Sequence, residues 1–282
     1  MTIQKAVPGA WAGALESGEP KGRKGPGRTA LVTGATSGIG RAVAERLADE
    51  DFDLFVCARS ADAVAVTVAA LRAKGVKADG LAVDVRDPKA AGELVEAAVA
   101  CHGRLDVLVN NAGRSGGGVT AELTDELWLD IIETNLNSVF RITREMLRQG
   151  GAVDRGWGRI VNIASTAGKQ GVVLGAPYSA SKHAVVGFTK ALGLELAATG
   201  VTVNAVCPGY VETPMAERVR QGYADAWGTT TDEVLDRFNA KIPLGRYTTP
   251  EEVAGMVGHL VTDNAAAITA QAINVCGGLG SY

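Results

Sequence analysis

Residues that build disulfide frameworks and metal sites are scarce in this sequence. Only 4 cysteines and 3 histidines occur among the 282 residues, and they are scattered along the chain. Their spacings match neither a zinc motif nor a small disulfide-rich domain, so we expect no metal site and no disulfide framework. We expect the cysteines to be small buried core residues; they are Cys57, Cys101, Cys207 and Cys276.

Long hydrophobic runs and an excess of positive charge are also missing. No apolar stretch approaches the roughly 20 residues that a membrane-spanning helix needs, and the N-terminus lacks the apolar core of a secretory signal. The formal net charge of −3 gives no general attraction for nucleic acid. We therefore expect a cytoplasmic protein with no membrane or nucleic-acid partner.

The chain before residue 29 differs from the rest. Proline, glycine and lysine interrupt residues 1–28 without sustained periodicity, which predicts a flexible extension outside the fold. Apolar residues make up 46% of the whole chain and charged residues 21%, as expected for one globular domain over residues 29–282. The basic residues of the extension form either an interaction tail or, as we favour, a solvated leader; they are Lys21, Arg23, Lys24 and Arg28.

From Thr29 onward, short β-rich runs alternate with helix-length segments. Most runs are almost continuously apolar, which is typical of strands covered on both faces. The alternation predicts a single α/β domain with a doubly wound, parallel, seven-stranded sheet and helices on both faces. The predicted strands are Thr29–Thr33, Asp53–Ala58, Gly80–Val85, Asp106–Asn110, Arg159–Ile163, Val201–Val206 and Ala272–Val275. The predicted helices include Ile39–Asp51, Ala61–Lys74, Pro88–His102 and Thr124–Gln149.

A glycine-rich turn, Thr33-Gly-Ala-Thr-Ser-Gly-Ile-Gly40, joins the first predicted strand to the first helix. Its glycines allow a sharp turn that brings backbone N–H groups against a pyrophosphate at the helix N-terminus. An ordinary tight turn is the alternative, but a strand before it and a helix after it favour a nucleotide site. Gly40 would allow close packing of the helix on the strand.

Several motifs together resemble the short-chain dehydrogenase/reductase family. They are the turn spacing Gly-x3-Gly-x-Gly, Asn110-Asn-Ala-Gly113, Ser165, Tyr178-x-x-x-Lys182 and Pro208-Gly209, in that order. The resemblance covers residues 28–282 and implies a Rossmann-type fold that binds a nicotinamide cofactor. The cofactor contacts that it implies are Thr33, Gly34, Thr36, Ser37, Gly38, Ile39, Gly40, Asp84, Val85, Asn111, Ala112, Gly113, Tyr178, Lys182, Pro208, Gly209, Val211, Thr213 and Met215.

In the family, the end of the second strand distinguishes NAD from NADP. This chain reads Cys57-Ala-Arg-Ser60 there, with no acidic residue. An arginine can pair with a 2′-phosphate, so Arg59 predicts NADPH, although a solvated loop charge is the alternative. Asp84 has the family's adenine-contacting position but could instead cap the next helix. Asn110 and Asn111 could be simple turn residues.

Tyr178 and Lys182 lie four residues apart on a predicted helix that begins near Pro177, so they share one helix face. The ordinary pKa of tyrosine is about 10, and a nearby ammonium should lower it. Proton transfer from Tyr178 to the alkoxide formed from a ketone then becomes feasible. A surface pair at this spacing is the alternative, which Ser165 after the fifth strand disfavours.

Two further polar residues complete the catalytic set that the resemblance implies. Ser165 would donate a hydrogen bond to the substrate carbonyl and polarise it. Asn135 matches a family position that helps hold a water between Lys182 and solvent. A helix-interior asparagine bonded to the backbone is the alternative for Asn135.

Other segments are similar to ketoreductases of bacterial aromatic (type II) polyketide synthases, of the actinorhodin type. They are residues 111–118, 121–129, 169–173 and 274–282. That resemblance implies a poly-β-ketone on an acyl carrier protein, reduced usually at its ninth carbon. Many of those enzymes have Pro-Gly-Gly where this chain has Ser115-Gly116-Gly117. Because serine frees the backbone φ and restores an N–H donor, the stereochemistry of the product stays open.

The segment 213–240 is predicted to be a substrate lid. Its aromatic residues Tyr223, Trp227 and Phe238 would either cover a flat polyketide or pack in the core. The predicted substrate contacts are Ser115, Gly116, Gly117, Thr166, Gln170, Val172, Tyr223 and Trp227. The alternative substrate class is that of a 3-oxoacyl-carrier-protein reductase or another short-chain carbonyl reductase. A non-catalytic nucleotide sensor is disfavoured because the full catalytic set is present.

Three arginines each follow a strand end and should gather at the mouth of the cleft. Arg59, Arg86 and Arg114 would there attract an acidic carrier protein and its phosphopantetheine arm.

The family resemblance also implies a homotetramer that buries the helices Thr124–Gln149 and Ala176–Thr199.

Overall fold

In a computed structural model that describes residues 27–280, seven strands form one parallel sheet in the order β3-β2-β1-β4-β5-β6-β7. The order reverses between β1 and β4, which places the crevice of a doubly wound sheet at their carboxyl ends. This confirms the predicted fold class. The strands are β1 (Thr29–Thr33), β2 (Asp53–Ala58), β3 (Ala78–Ala82), β4 (Val107–Asn110), β5 (Gly158–Ile163), β6 (Val201–Pro208) and β7 (Ala272–Val275).

The third strand lies earlier than the predicted range Gly80–Val85. Gly80 is in the middle of β3, opposite Val56 of β2. A Cβ atom on Gly80 would lie 2.6 Å from the Val56 carbonyl oxygen, so only glycine allows the strands to pair here. The apolar residues Val83 and Val85 extended the predicted strand to a segment where the chain has already left the sheet.

Helices cover both faces of the sheet. They are α1 (Gly38–Asp49), α2 (Ala61–Arg72), α3 (Ala90–His102), α4 (Asp125–Ile132), α5 (Ser138–Gln149), α6 (Ala176–Leu196), α7 (Pro214–Trp227), α8 (Thr231–Asn239) and α9 (Pro250–Leu260). The single helix predicted over residues 124–149 is therefore two helices. A π-helical segment, Glu133–Asn137, joins them and contains Asn135.

Alternate residues of each central strand supply two hydrophobic layers. Ala30 and Val32 pack on the side of α1 and α9, whereas Leu31 packs on the side of α3 and α5. All three side chains are fully buried. The sheet is thus a rigid support for the loops that leave its carboxyl edge.

Two predictions about single residues are wrong. Cys57, Cys207 and Cys276 are buried, but Cys101 is exposed because it lies on the solvent side of α3 near its C-terminus. Arg28 does not belong to an extension. Its guanidinium pairs with Asp263 at 3.1 Å and its backbone oxygen accepts a hydrogen bond from Asp53, so it is part of the fold.

Most of the predicted extension, residues 1–26, lies outside the described residues. Among residues 27–280 no helix combines the length and hydrophobicity that a membrane crossing requires. In the same part of the chain, no group of three or more histidine, cysteine, aspartate or glutamate side chains could hold a metal ion.

Candidate active site

The glycine-rich turn leaves β1 and enters α1 with a backbone that requires glycine. Gly34 and Gly38 have φ values of +64° and +52°, in the left-handed region that other residues rarely adopt. A Cβ atom on Gly40 would overlap the Gly34 carbonyl oxygen and the Asn111 side-chain amide. Gly40 therefore lets α1 pack directly on the turn that follows β1, whereas the sequence predicted close packing on the strand itself.

The turn is fastened to the loop after β4 through two side chains. The Thr33 hydroxyl accepts hydrogen bonds from the backbone N–H groups of Asn111 (3.0 Å) and Ala112 (2.9 Å). The Asn111 side-chain amide donates in return to the carbonyl oxygens of Thr33 and Gly34. Asn111 is thus a clamp across the switch point rather than a simple turn residue.

The first turn of α1 offers its backbone N–H groups to an anion. Ser37 precedes the helix in an extended conformation and its side chain caps none of them. The first turn also contains no acidic residue that would repel a phosphate. A pyrophosphate bound between Thr36 and Ile39 would be stabilised by these donors and by the helix dipole.

The loop after β6 lies against the same turn. The methyl group of Thr213 is 3.2 Å from the position of a Cβ on Gly38. The Thr213 hydroxyl accepts a hydrogen bond from the Ala216 N–H at 3.2 Å and thereby caps α7. Gly209 passes so close to Cys276 that a Cβ would lie 2.9 Å from the cysteine Cβ. The neighbouring predicted contacts Pro208, Val211 and Met215 follow the same path from β6 into α7.

Arg59 is exposed at the carboxyl end of β2, and no other described residue forms a hydrogen bond or ion pair with it. Asp84 lies nearby, and its carboxylate forms an ion pair with Arg86 at 2.6 Å. The hydrogen bond from Arg86 is the main cause that lowers the pKa of Asp84, and the Arg59 charge contributes. Asp84 does not cap α3, whose N-cap is Lys89. Val85 is partly buried beside it.

Three of the predicted catalytic residues come together between β5 and α6. Ser165 follows β5, and a short 3₁₀ turn brings Gly168 so close to Lys182 that a Cβ would lie 2.6 Å from its backbone oxygen. The Ser165 side chain lies close enough to the Tyr178 phenol to lower its pKa. Lys182 is buried, and its ammonium donates to the Ile163 carbonyl oxygen at 2.8 Å.

Burial decides the protonation of this site. It raises the pKa of the Tyr178 phenol, and the hydrogen bond with Ser165 opposes that effect. It lowers the pKa of Lys182 to about 8. The expectation of a lowered pKa for Tyr178 is therefore wrong for this structure, because desolvation of the phenolate outweighs the effect of Ser165.

Asn135 joins the cofactor side of the site to the catalytic helix. Its side-chain oxygen accepts the Arg114 N–H at 2.8 Å, and its amide donates to the Arg114 oxygen at 3.0 Å. The amide also donates to the Ser181 hydroxyl at 3.1 Å, and that hydroxyl donates to the Tyr178 backbone oxygen. The alternative noted for Asn135, bonding to the backbone, is thus part of its role.

Several predicted substrate residues lie on segments that meet near the N-terminus of α6, and we call this region the rim. A Cβ on Gly116 would lie 2.7 Å from the Ile131 side chain. Residues 172–174, which we call the strap, connect this rim to α6 and α7. The Val172 N–H donates to the Ser179 hydroxyl at 3.2 Å, and Tyr223 donates to the Val173 carbonyl oxygen at 3.0 Å.

Not every predicted substrate residue is open to the rim. Thr166 is buried in the 3₁₀ turn, and the Gln170 N–H donates to the Thr166 carbonyl oxygen at 3.1 Å. Ser115 is partly buried, and its carbonyl oxygen accepts a bond from the Arg114 side chain. The rim surface available for an apolar ligand therefore comes mainly from the strap and the segment 213–240.

The segment 213–240 forms α7 and α8, and its aromatic residues divide between the two predicted roles. Phe238 is buried and stacks on Tyr210 with ring centroids 4.7 Å apart, which is core packing. Trp227 is 41% exposed and contacts Tyr223 at 4.8 Å. Tyr223 and Trp227 thus remain on the surface of this segment.

A family profile described as short chain dehydrogenase matches residues 28–224. The chain belongs to the short-chain dehydrogenase/reductase family. It is therefore an NAD(P)-dependent oxidoreductase that acts on carbonyl and alcohol groups.

This dehydrogenase/reductase has close relatives in polyketide synthases. It is 68% identical over 255 residues to a protein of Streptomyces virginiae assigned as ketoacyl reductase of the monensin polyketide synthase, covering 90% of this chain and 98% of the relative. It is 62% identical over 253 residues to a protein of Streptomyces violaceoruber assigned as ketoacyl reductase 1 of the granaticin polyketide synthase, covering 90% and 93%.

Among solved structures, it is similar to a single-residue variant of the actinorhodin polyketide ketoreductase with NADPH. The sequence identity is 61% and the TM-score 0.89, over 93% of this chain and 100% of that chain.

Sequence reasoning missed two residues of the reductase site. Asp130 of α4 forms ion pairs with both Arg86 (2.6 Å) and Arg114, so these arginines share a counter-ion while Arg59 stands apart. No local pattern relates Asp130 to either arginine, because the pairing depends on the packing of α4. Ser181 is fully buried and lies inside the Tyr178–Lys182 motif, and that place in the motif is the signal that could have found it.

Proposed function

We propose that this chain is an NADPH-dependent ketoreductase that reduces one carbonyl of an aromatic polyketide intermediate on an acyl carrier protein. The observation that carries the proposal is the joint position of Ser165, Tyr178 and Lys182 next to the loop after β4, where a Cβ on Gly113 would lie 3.7 Å from the Lys182 ammonium nitrogen. Relatives assigned to polyketide synthases support the substrate class. Reduction at the ninth carbon is the finer part of the proposal.

The residues present fit NADPH. The backbone of Thr36–Ile39 would hold the pyrophosphate, and Arg59 would pair with the 2′-phosphate because no described residue occupies its guanidinium. The adenosine side would be held by Asp84, Val85, Asn111, Ala112 and Gly113. Lys182 would hold the nicotinamide ribose and Thr213 the carboxamide. When bound, NADPH supplies the hydride to the carbonyl carbon.

The side chains of the site deliver the proton. The Ser165 hydroxyl would donate to the substrate carbonyl oxygen and stabilise the negative charge that develops there. Tyr178 would give its phenolic proton to the same oxygen, which completes the alcohol. The buried Lys182 ammonium would stabilise the phenolate that remains. The raised pKa of Tyr178 ensures that the phenol enters the reaction protonated.

The position of Asn135 would support the supply of protons to Tyr178. Its side-chain groups are all engaged with Arg114 and Ser181, so it holds the π-helical segment against both α6 and the loop after β4. In that place it would fix the path by which water reaches Lys182 and replaces the proton that Tyr178 gives up.

Recognition of the carrier would involve the arginines at the mouth of the cleft. Arg86 and Arg114 already form ion pairs with Asp130. An acidic carrier protein, or the phosphate of its phosphopantetheine arm, would replace the Asp130 carboxylate as the partner of these arginines. Arg59 would bind the 2′-phosphate of NADPH rather than the carrier protein.

A cytoplasmic homotetramer that buries α4, α5 and α6 also stays a proposal, supported by family resemblance.

The alternative is a 3-oxoacyl-carrier-protein reductase or another short-chain carbonyl reductase with the same catalytic residues. The exposed side chain of Val173 could accept a linear acyl chain at the rim. To separate the two, NADPH oxidation is measured with trans-1-decalone and with a linear β-keto ester. A higher kcat/KM for the bicyclic ketone supports the polyketide substrate. A marked preference for the ester supports the alternative, and no oxidation with either contradicts both.

A further inference from the structure

The strap has an unusual backbone at Leu174. Its φ of +59° lies in the left-handed region, where a leucine Cβ crowds the neighbouring carbonyl oxygen. Such conformations persist only where surrounding contacts impose them, and they occur most often at functional sites. Neither the sequence motifs nor the comparisons point to this residue.

The contacts that impose this backbone come from the glycines after β4. The Gly118 N–H donates to the Leu174 carbonyl oxygen at 2.8 Å. A Cβ on Gly117 would overlap that same oxygen, so the approach requires glycine at position 117. The bonds of Val172 to Ser179 and of Val173 to Tyr223 complete the set. Each strap residue is therefore tied to a different element of the site.

The strap presents apolar surface on the loop that leads into α6, the helix that contains Tyr178. The side chain of Val173 is 80% exposed and that of Leu174 40% exposed. Exposed aliphatic side chains on a fixed backbone gain free energy when a flat apolar ligand covers them. A linear chain can adjust to a displaced wall, whereas a rigid ring system cannot.

We propose that Leu174 is a specificity-determining residue, and the proposal rests on the proposed function. Gly117 and Gly118 hold its left-handed backbone, which fixes the strap as an apolar wall of the substrate cleft. The position of that wall sets the choice between fused-ring and linear ketones.

The kinetic test compares Gly117→Ala with a matched control, Gly171→Ala. A Cβ on Gly171 meets nothing within 4 Å, so the control adds the same methyl group to the neighbouring loop without displacing the strap. The measured quantity is the kcat/KM ratio of trans-1-decalone to a linear β-keto ester. We expect G117A to lower this ratio at least about tenfold, mainly through KM for the bicyclic ketone. The control should stay within about threefold of the unmodified enzyme.

A stability measurement tests the backbone claim without any substrate. Leu174→Gly and Leu174→Ala both remove the side chain, but only glycine adopts φ +59° without strain. We expect the melting temperature of L174G to exceed that of L174A by about 2 °C. A melting temperature of L174A equal to or above that of L174G would overturn the claim that the backbone at Leu174 is strained.

The results separate this inference from the proposed function. An unmodified enzyme that prefers the linear ester would contradict the polyketide substrate. The strap proposal would still hold if G117A shifted that preference by about tenfold and G171A did not. It is overturned if G117A and G171A give the same ratio.

Discussion

The ammonium of Lys182 lies 5.8 Å from the centre of the Tyr178 ring and donates its hydrogen bond to the Ile163 carbonyl oxygen. The lysine is thus close enough to act on the phenol by charge while β5 fixes its position. Both residues lie on one face of α6, and Ser165 reaches the phenol from the loop after β5. The protonation of Lys182 and the donation of a proton by Tyr178 are therefore the two properties to test.

The pH dependence of reduction should follow Lys182. Burial lowers its pKa to about 8, so the ammonium that stabilises the phenolate is lost as the pH rises through that value. Tyr178 keeps its proton over this range because burial raises the pKa of the phenol. We expect kcat/KM for a ketone to fall about tenfold for each pH unit above the pKa of Lys182. Rates measured at saturating NADPH that stay constant up to about pH 10 would contradict this role.

Replacement of Lys182 by methionine should make the protein more stable at neutral pH. The folded pKa of about 8 lies below the ordinary value of 10.5, so burial of the charge destabilises the native state wherever both states are protonated. Removal of the buried charge stabilises the protein, and loss of the hydrogen bond to Ile163 offsets part of that gain. The net result should be an increase of about 2 kcal/mol in the free energy of unfolding of K182M.

The size of this effect decreases with rising pH in a predictable way. As the pH rises from about 8 toward 10.5, the unfolded chain keeps a proton that the folded protein has lost. The unmodified protein then gains stability, and its difference from K182M shrinks. Denaturant unfolding across this range measures the difference. Lys190→Met, on the exposed side of α6, is the control and should show no such trend.

Reversal of the charge at Arg59 should change the choice of cofactor. An aspartate repels a 2′-phosphate and can accept bonds from a ribose hydroxyl, so R59D should weaken NADPH binding by roughly a hundredfold and NADH binding far less. Titration of both cofactors by fluorescence measures the two dissociation constants. Lys74→Asp makes the same change of charge at an exposed turn after the C-terminus of α2 and should leave the ratio unaltered. Equal losses for NADPH and NADH would remove the phosphate role of Arg59.

Much of the fold and of the catalytic set could be predicted because both depend on local patterns. Buried parallel strands are continuous apolar runs, and the glycine-rich turn needs glycine at fixed positions, as Gly34 and Gly40 show. Tyr178 and Lys182 lie within one helical turn, so their spacing alone places them together.

What could not be predicted depends on contacts between distant segments. The Asp130 carboxylate reaches Arg86 across 44 positions of the sequence. The raised pKa of Tyr178 depends on burial by several elements, which no spacing expresses. The left-handed backbone of Leu174 follows from the approach of Gly117 and Gly118, which belong to another loop.

The measurement that tests the central claim most directly is the turnover of Tyr178→Phe with a ketone and NADPH. Phenylalanine keeps the ring and removes only the hydroxyl that would give up the proton in the proposed reaction. We expect kcat to fall by about a thousandfold while the dissociation constant for NADPH changes less than about threefold. A kcat within about tenfold of the unmodified enzyme would contradict Tyr178 as the proton donor.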